Sequence, residues 1–250
     1  MPTTSQTHEH QPPAARIHIE PGFAWDEQEA YLFDIDGTLL RDPDLIHMDA
    51  FASSIHRVTG IEVSMDGVPV HGSTDLAILR TACSQAGISA EFLEPRIEAI
   101  LEAMRQTVAA RRGEMKLRLM PGVEDALAYL ARKGALLGVA TGNLEAIGWI
   151  KLEEAGLREW FRFGGFSDMF SIRAEMVANA ARKARELAGA EARVCVVGDT
   201  PNDILAAHAC ALPVIAVATG NFSFDVLAEH HPELCASSLA DLLAQTKVAP

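Results

Sequence analysis

Two carboxylates two residues apart, Asp34 and Asp36, close an apolar run that begins Tyr31-Leu32-Phe33 and is stopped by Gly37-Thr38. Aromatic and branched residues favour a buried strand and Asp-Gly breaks one, so the pair falls at a strand's carboxyl end. In an open α/β sheet, that end is where ligands bind. A regular strand turns Asp34 and Asp36 to opposite faces, so both serve one site only if the strand ends near Asp34. Alone, Asp-x-Asp-Gly reads equally well as a strand followed by a solvated turn. Two later stretches weigh against the turn. Thr141-Gly142-Asn143 follows the apolar run 135–140, and Gly198-Asp199-Thr200-Pro201-Asn202-Asp203 follows the run 193–197. Either one alone fits a helix N-cap and turn. On strands of one parallel sheet, however, the three carboxyl ends share an edge, and the polar groups converge on one site.

The elements that must position these groups follow from periodicity. Short apolar runs at 31–33, 135–140, 193–197 and 213–217 alternate with helical patterns at 123–133, 144–155, 175–187 and 204–210, with a further apolar segment near 160–166. Such alternation indicates an α/β fold with a doubly wound parallel sheet. Between the first strand and residue 112 the pattern is helical instead, at 44–59, 74–86 and 90–112, the second opened by Ser73-Thr74-Asp75. Residues 61–68 read as an extended excursion ending in a turn. No strand–glycine–helix unit recurs in this block, so it reads as an inserted α-helical domain. The expected organisation is a flexible N-terminal segment over 1–29, a core from 30–42 and 118–250, and a helical insertion over 43–117. His8 and His10, in the polar lead-in, read as solvated side chains rather than metal ligands.

Composition narrows the partners. Among 250 residues, 34 acids against 21 bases give a formal charge of −13, which argues against nucleic acid and anionic membrane surfaces, since both reward clustered Lys and Arg. Cys83, Cys195, Cys210 and Cys235 form no Cys-x-x-Cys pair and read as reduced, buried thiols. Apolar runs such as 212–219 are too short to cross a bilayer, and the polar N-terminus lacks an apolar signal segment. A cytoplasmic protein is expected, as a monomer or homodimer.

On Asp34-Ile35-Asp36-Gly37-Thr38, Thr141 and Gly198 to Asp203, the chain resembles the haloacid dehalogenase superfamily over about residues 30–245. It looks most like the phosphoglycolate-phosphatase-type members, with a Rossmann-like core and a helical cap after the first motif. The resemblance implies that Asp34 is the nucleophile in phosphoryl transfer, forming an aspartyl phosphate, and that Asp36 is the acid and base. It implies Mg²⁺ held by the side chains of Asp34 and Asp199 and the backbone carbonyl of Asp36, with Asp203 holding a metal-bound water. Thr38, Thr141, Gly142 and Asn143 are implied as phosphate-binding positions, through hydroxyl and backbone amide donors. The family places a Lys at the start of the helix before the fourth motif. Here Arg173 fits best, 26 residues before Asp199, and Lys183, well inside the helix, is the second candidate.

The implied substrate is a small phosphorylated metabolite, selected by a cap whose polar candidates are His47, His56, His71, Ser73 and Thr74. The presence of Asp36 favours phosphoryl transfer over dehalogenation, and the lack of lysine from 41 to 115 disfavours Schiff-base chemistry. A sugar-phosphate mutase of the β-phosphoglucomutase type shares the core motifs and remains the alternative reading. A catalytically silent binding protein on the same fold is the other.

Overall fold

The computed structural model describes residues 15–43 and 45–246, so His8, His10 and Asp44 lie outside the described residues. From the N-terminal side, β1 (Ile17–Ile19) precedes β2 (Ala30–Phe33), and β3 (Leu40–Arg41) leads out of the sheet domain. Four helices follow, α1 (Ile46–Thr59), α2 (Asp75–Gln85), α3 (Ala90–Leu93) and α4 (Ile97–Arg111), before β4 (Arg118–Leu119) returns antiparallel to β3. The chain then alternates through α5 (Val123–Arg132), β5 (Leu136–Ala140), α6 (Glu145–Glu154), β6 (Phe163–Gly165), α7 (Arg173–Ala188) and β7 (Val194–Gly198). It ends with α8 (Pro201–Ala209), β8 (Val214–Val217), α9 (Phe224–Ala228), β9 (Leu234–Ala236) and α10 (Leu239–Thr246).

The main sheet has the order β1-β9-β8-β7-β2-β5-β6, parallel throughout except for β1. Strand β2 lies inside it, between β7 and β5, and the strand's period of two explains its composition. Tyr31 and Phe33 join one core layer, with Leu127 and Leu130 of α5 and Leu242 of α10. Ala30 and Leu32 join the other, with Met176 and Ala180 of α7 and Ile204 of α8. A strand covered on both faces must be apolar at every position, and each large side chain so buried contributes about 1.5–3 kcal/mol.

The helical insertion has its own core of Phe51, Ile55, Leu79, Leu101 and Met104, joined by Leu144, Ile147 and Ile150 from the start and face of α6. Cap and sheet domain therefore share α6. No helix among the described residues is long and apolar enough to cross a membrane. All four cysteines are free thiols.

Several boundaries differ from the sequence reading. The helical pattern at 90–112 divides at a 3₁₀ turn, Glu94–Arg96, because Pro95 lacks the N–H that a continuous helix requires. Residues 61–68 run without a strand partner and turn at Asp66-Gly67. Residues 17–19, read as part of a mobile lead-in, form an edge strand whose Ile17, His18 and Ile19 register with Ala236, Cys235 and Leu234. The Arg16 amide and side chain extend that tie to Ser237 and Asp225. Such pairing between chain ends carries no local signal.

Candidate active site

Strand β2 stops at Phe33, which is the condition for both acids to serve one site. Phe33 registers with Val139 of β5 and Val197 of β7, so Asp34, Thr141 and Asp199 emerge at one edge. The Asp34 amide still donates to the Val197 carbonyl at 2.9 Å. Ile35 then turns into the core and Gly37 adopts φ +92°. A Cβ at Gly37 would run into the Asp199 carboxylate, so glycine is required here for close approach as well as for its backbone angle. The loop closes with Gly37 N–H donating to the Leu40 carbonyl at 2.8 Å, which brings Asp36 back to the Asp34 side.

Asp34 is 5% exposed and faces Arg173 Nη2 at 3.2 Å. The same Arg173 nitrogen lies 2.6 Å from Asp203 Oδ1, and Nη1 donates to the Gly72 carbonyl of the cap at 3.2 Å. Helix α7 begins at Arg173, two residues earlier than the sequence pattern suggested, and this places the guanidinium at its amino end above the strand edge. Lys183 lies elsewhere, donating to the Gly164 carbonyl at 2.8 Å. Asp203 works twice: its Oδ2 accepts from the Thr200 amide and hydroxyl in a capping box on α8, while Oδ1 receives Arg173. Thr38 donates to Asp199 Oδ1 at 2.9 Å, so its hydroxyl orients a carboxylate.

Asp36 has a partner absent from the sequence reading. Lys151 of α6, 2% exposed, places Nζ 2.8 and 2.7 Å from the two Asp36 oxygens. It also donates to Asn143 Oδ1 at 3.0 Å and faces His47 Nδ1 at 3.2 Å. Asn143 Nδ2 donates to Asp36 Oδ2 at 2.8 Å and to Thr141 Oγ1 at 2.7 Å, which leaves the Asn143 side chain holding Asp36. His47 continues to Asp75 at 3.0 Å, and Asp75 accepts from the Leu144 amide at 2.8 Å. Lys151 lies one turn after Ile147, a spacing that alone does not distinguish it from a lysine that reaches solvent.

Of the remaining cap candidates, Thr74 caps α2 and donates to the Ser171 carbonyl at 3.1 Å, across to the core. The His71 ring faces Asn221 Nδ2 at 3.0 Å, and Ser73 donates to the Pro69 carbonyl at 2.7 Å. His56 pairs with Glu62 at the surface, away from these groups.

The charges do not cancel. With all four ionised, Asp34, Asp36, Asp199 and Asp203 would carry two negative charges more than the two cations facing them, Arg173 and Lys151, compensate. Burial raises the Asp34 carboxyl above its ordinary value despite Arg173, and burial with Asp203 and Asp34 nearby raises Asp199 as well. Burial acts on Asp36 in the same sense, but Lys151 and Asn143 outweigh it and hold that carboxyl below its ordinary value. Oxygens of Asp34, Asp199 and Asp203 lie within 4.8 Å of one another. A buried, all-oxygen donor set with a surplus of two negative charges fits a hard divalent cation. These groups form one end of a cavity of about 730 Å³ between core and cap.

Comparison with known proteins agrees with this arrangement. The haloacid dehalogenase-like hydrolase family model matches residues 28–211. Phosphoglycolate phosphatase 1 of Pseudomonas aeruginosa is 30% identical over 232 residues, covering 90% of this chain and 82% of that protein. A phosphoglycolate phosphatase of Mesorhizobium japonicum is 27% identical over 191 residues, covering 76% of this chain and 82% of that protein. A hydrolase from Pseudomonas syringae shares the fold with a TM-score of 0.66 at 18% identity, covering 89% of this chain and 100% of that one. Matched over most of its length and carrying its acidic groups at one sheet edge beneath a helical cap, the chain belongs to the haloacid dehalogenase-like hydrolase family, among its phosphoglycolate-phosphatase-like phosphatases.

Proposed function

We propose that the protein hydrolyses a small phosphomonoester with Mg²⁺ as cofactor, through an aspartyl phosphate on Asp34. The observation that carries this reading is the buried Asp34 carboxylate facing Arg173, with Asp36 on the same side of the sheet edge. An Asp34 oxygen attacks phosphorus, the bond to the alcohol breaks, and the alcohol oxygen takes a proton from Asp36. Water then attacks phosphorus and returns a proton to Asp36, Asp34 leaves as carboxylate, and inorganic phosphate is released. Lys151 keeps Asp36 ionised at rest; an arriving phosphate dianion raises its proton affinity, so that Asp36 takes a proton from water before passing it to the alcohol oxygen, and it loses the proton returned by the attacking water when phosphate leaves. Arg173, the Thr141 hydroxyl and the amides of Gly142 and Asn143 bind the phosphoryl oxygens. The residues for the metal are Asp34, Asp199 and the Asp36 carbonyl, with Asp203 behind them; Mg²⁺ there lowers the repulsion between carboxylates and phosphate.

The same proposal divides the chain into a catalytic core of 30–42 and 118–250 and a cap of 43–117. It places the protein in the cytoplasm, as a monomer or homodimer acting on a small phosphorylated metabolite; phosphoglycolate is the substrate that its relatives' names carry. The test is phosphate release from a panel including phosphoglycolate and a generic aryl phosphate. Mg²⁺-dependent multiple turnover is expected, abolished by chelator and by Asp34→Asn. Full activity in Asp34→Asn, or conversion of a hexose 1-phosphate to its 6-phosphate without phosphate release, contradicts the reading.

A further inference from the structure

We propose that the alcohol half of the substrate is an uncharged, bulky and largely apolar group, such as an aryl or branched alkyl chain, bound against the cap side of the cavity. This inference rests on the phosphatase reading above and names the substrate class of that site.

Size is the first argument. At roughly 30 Å³ for a water-sized group, about 730 Å³ has room for some two dozen such groups, against about nine non-hydrogen atoms in phosphoglycolate. The space does not come from an open cap, because the cap loop is seated on the core. Asp75 N–H donates to the Gly142 carbonyl at 2.7 Å, Thr74 reaches the Ser171 carbonyl, and Asn202 donates to the His71 carbonyl at 3.3 Å. Gly72 fits so closely that an added Cβ would run into Thr200 Oγ1 and lie 2.8 Å from Asn202 Cβ. The cap loop is thus seated on the core, while the cavity stays partly open to solvent and its volume includes the space beside Asp34 and Asp199.

The lining is the second argument. Away from the carboxylates the wall is made by Met48, Phe51, Met65, Val70 and Ile78 of the cap. Leu45 and Met120 continue it; Leu45 is 56% exposed and held at φ +55°, a backbone angle that leucine rarely adopts. Two of these residues are methionines of the cap itself, whose side chains adapt to irregular apolar shapes.

Charge is the third. A substrate with a second anionic group, as in phosphoglycolate, needs a second cation. The two buried cations of the cavity are paired with acids, Lys151 with Asp36 and Arg173 with Asp34 and Asp203, while Arg41 stands at the exposed rim near the Thr219 carbonyl at 3.5 Å. His47 is paired with Asp75.

The test compares kcat/KM for 2-naphthyl phosphate, phosphoglycolate and glucose 6-phosphate, read as phosphate release with Mg²⁺. The naphthyl ester is expected to exceed both others about tenfold or more, the scale of discrimination that a few buried carbons supply. Met65→Lys and, separately, Met48→Lys put an ammonium at the half-buried wall and are expected to reverse that preference in favour of phosphoglycolate, mainly through KM. Preference of the wild-type protein for phosphoglycolate or the sugar phosphate overturns the inference and leaves the phosphatase reading standing. A naphthyl preference unmoved by both variants overturns the assignment of the cap wall. No phosphate release from any of the three esters overturns the phosphatase reading, and this inference with it.

Discussion

Lys151 is the residue whose substitution should show how the acid-base group is held. Its ammonium bridges both oxygens of Asp36 and the Asn143 carbonyl oxygen, almost completely out of contact with water. Lys151→Met leaves those acceptors without their cation and is expected to destabilise the fold by about 1–3 kcal/mol. The loss stays below that of a fully buried ion pair because the Asp36 side chain is 42% exposed. Urea unfolding measures it, and an unchanged midpoint contradicts the assignment. The acids themselves were legible because Asp-x-Asp-Gly stands where an apolar strand stops, and the same is true of Asp199 after Val197. Lys151 was not, because a lysine in an amphipathic helix ordinarily reaches solvent, and only the fold shows that its face of α6 is covered by the cap. Likewise Thr38 and Asn143 were read as phosphate-binding positions. In the structure the Thr38 hydroxyl donates to Asp199 and the Asn143 amide nitrogen to Asp36, contacts that depend on strands distant in sequence.

At the scale of elements, function depends on how the loop before α2 seats on the end of β5. Gly142 has ordinary backbone angles, but a Cβ there would meet the Ser73 carbonyl and come within 3.2 Å of Arg173 Nη1. Gly142→Ala is therefore expected to push the cap loop away without straining its own backbone. A displacement of about 1 Å at a reacting centre can cost on the order of 100-fold in rate. The expected outcome is that scale of loss in kcat/KM with thermal unfolding little changed; wild-type kinetics contradict this account of the cap contact. The elements that position the site were readable from hydrophobic periodicity: β2, β5, β7 and β8 and the helices between them fall within a few residues of the expected runs. What escaped was the edge and the C-terminal part of the fold, β1, α9, β9 and α10, and the short pair β3 and β4. Ile17-His18-Ile19 is too short to be distinctive, and its partner lies more than two hundred residues away.

For the molecule as a whole, the surplus of buried negative charge makes stability depend on metal and pH together. In the metal-free protein the native pKa of Asp199, raised to about 8 by burial and the neighbouring acids, lies above the ordinary carboxylate value of 3.8. The native state therefore binds the proton more tightly than the unfolded chain. This contribution is complete below about pH 3.8 and is lost as pH rises towards 8. Chelator-treated protein is expected to lose Tm across that window, and Mg²⁺ is expected to raise Tm most at its upper end. Asp199→Asn should raise the Tm of the metal-free protein at pH 8 and abolish the Mg²⁺ shift. A Mg²⁺ shift of wild-type size in that variant contradicts the metal assignment.

The central claim is covalent, and it is tested most directly by where the phosphoryl group resides during turnover. A reaction with Mg²⁺ and an aryl phosphate, quenched in acid within the first turnover and digested, can be read by peptide mass. The account predicts one phosphoryl group on the peptide containing Asp34, transient in wild type and absent in Asp34→Asn. Phosphate release during that turnover with no phosphorylated peptide, or with the group on another residue, contradicts it.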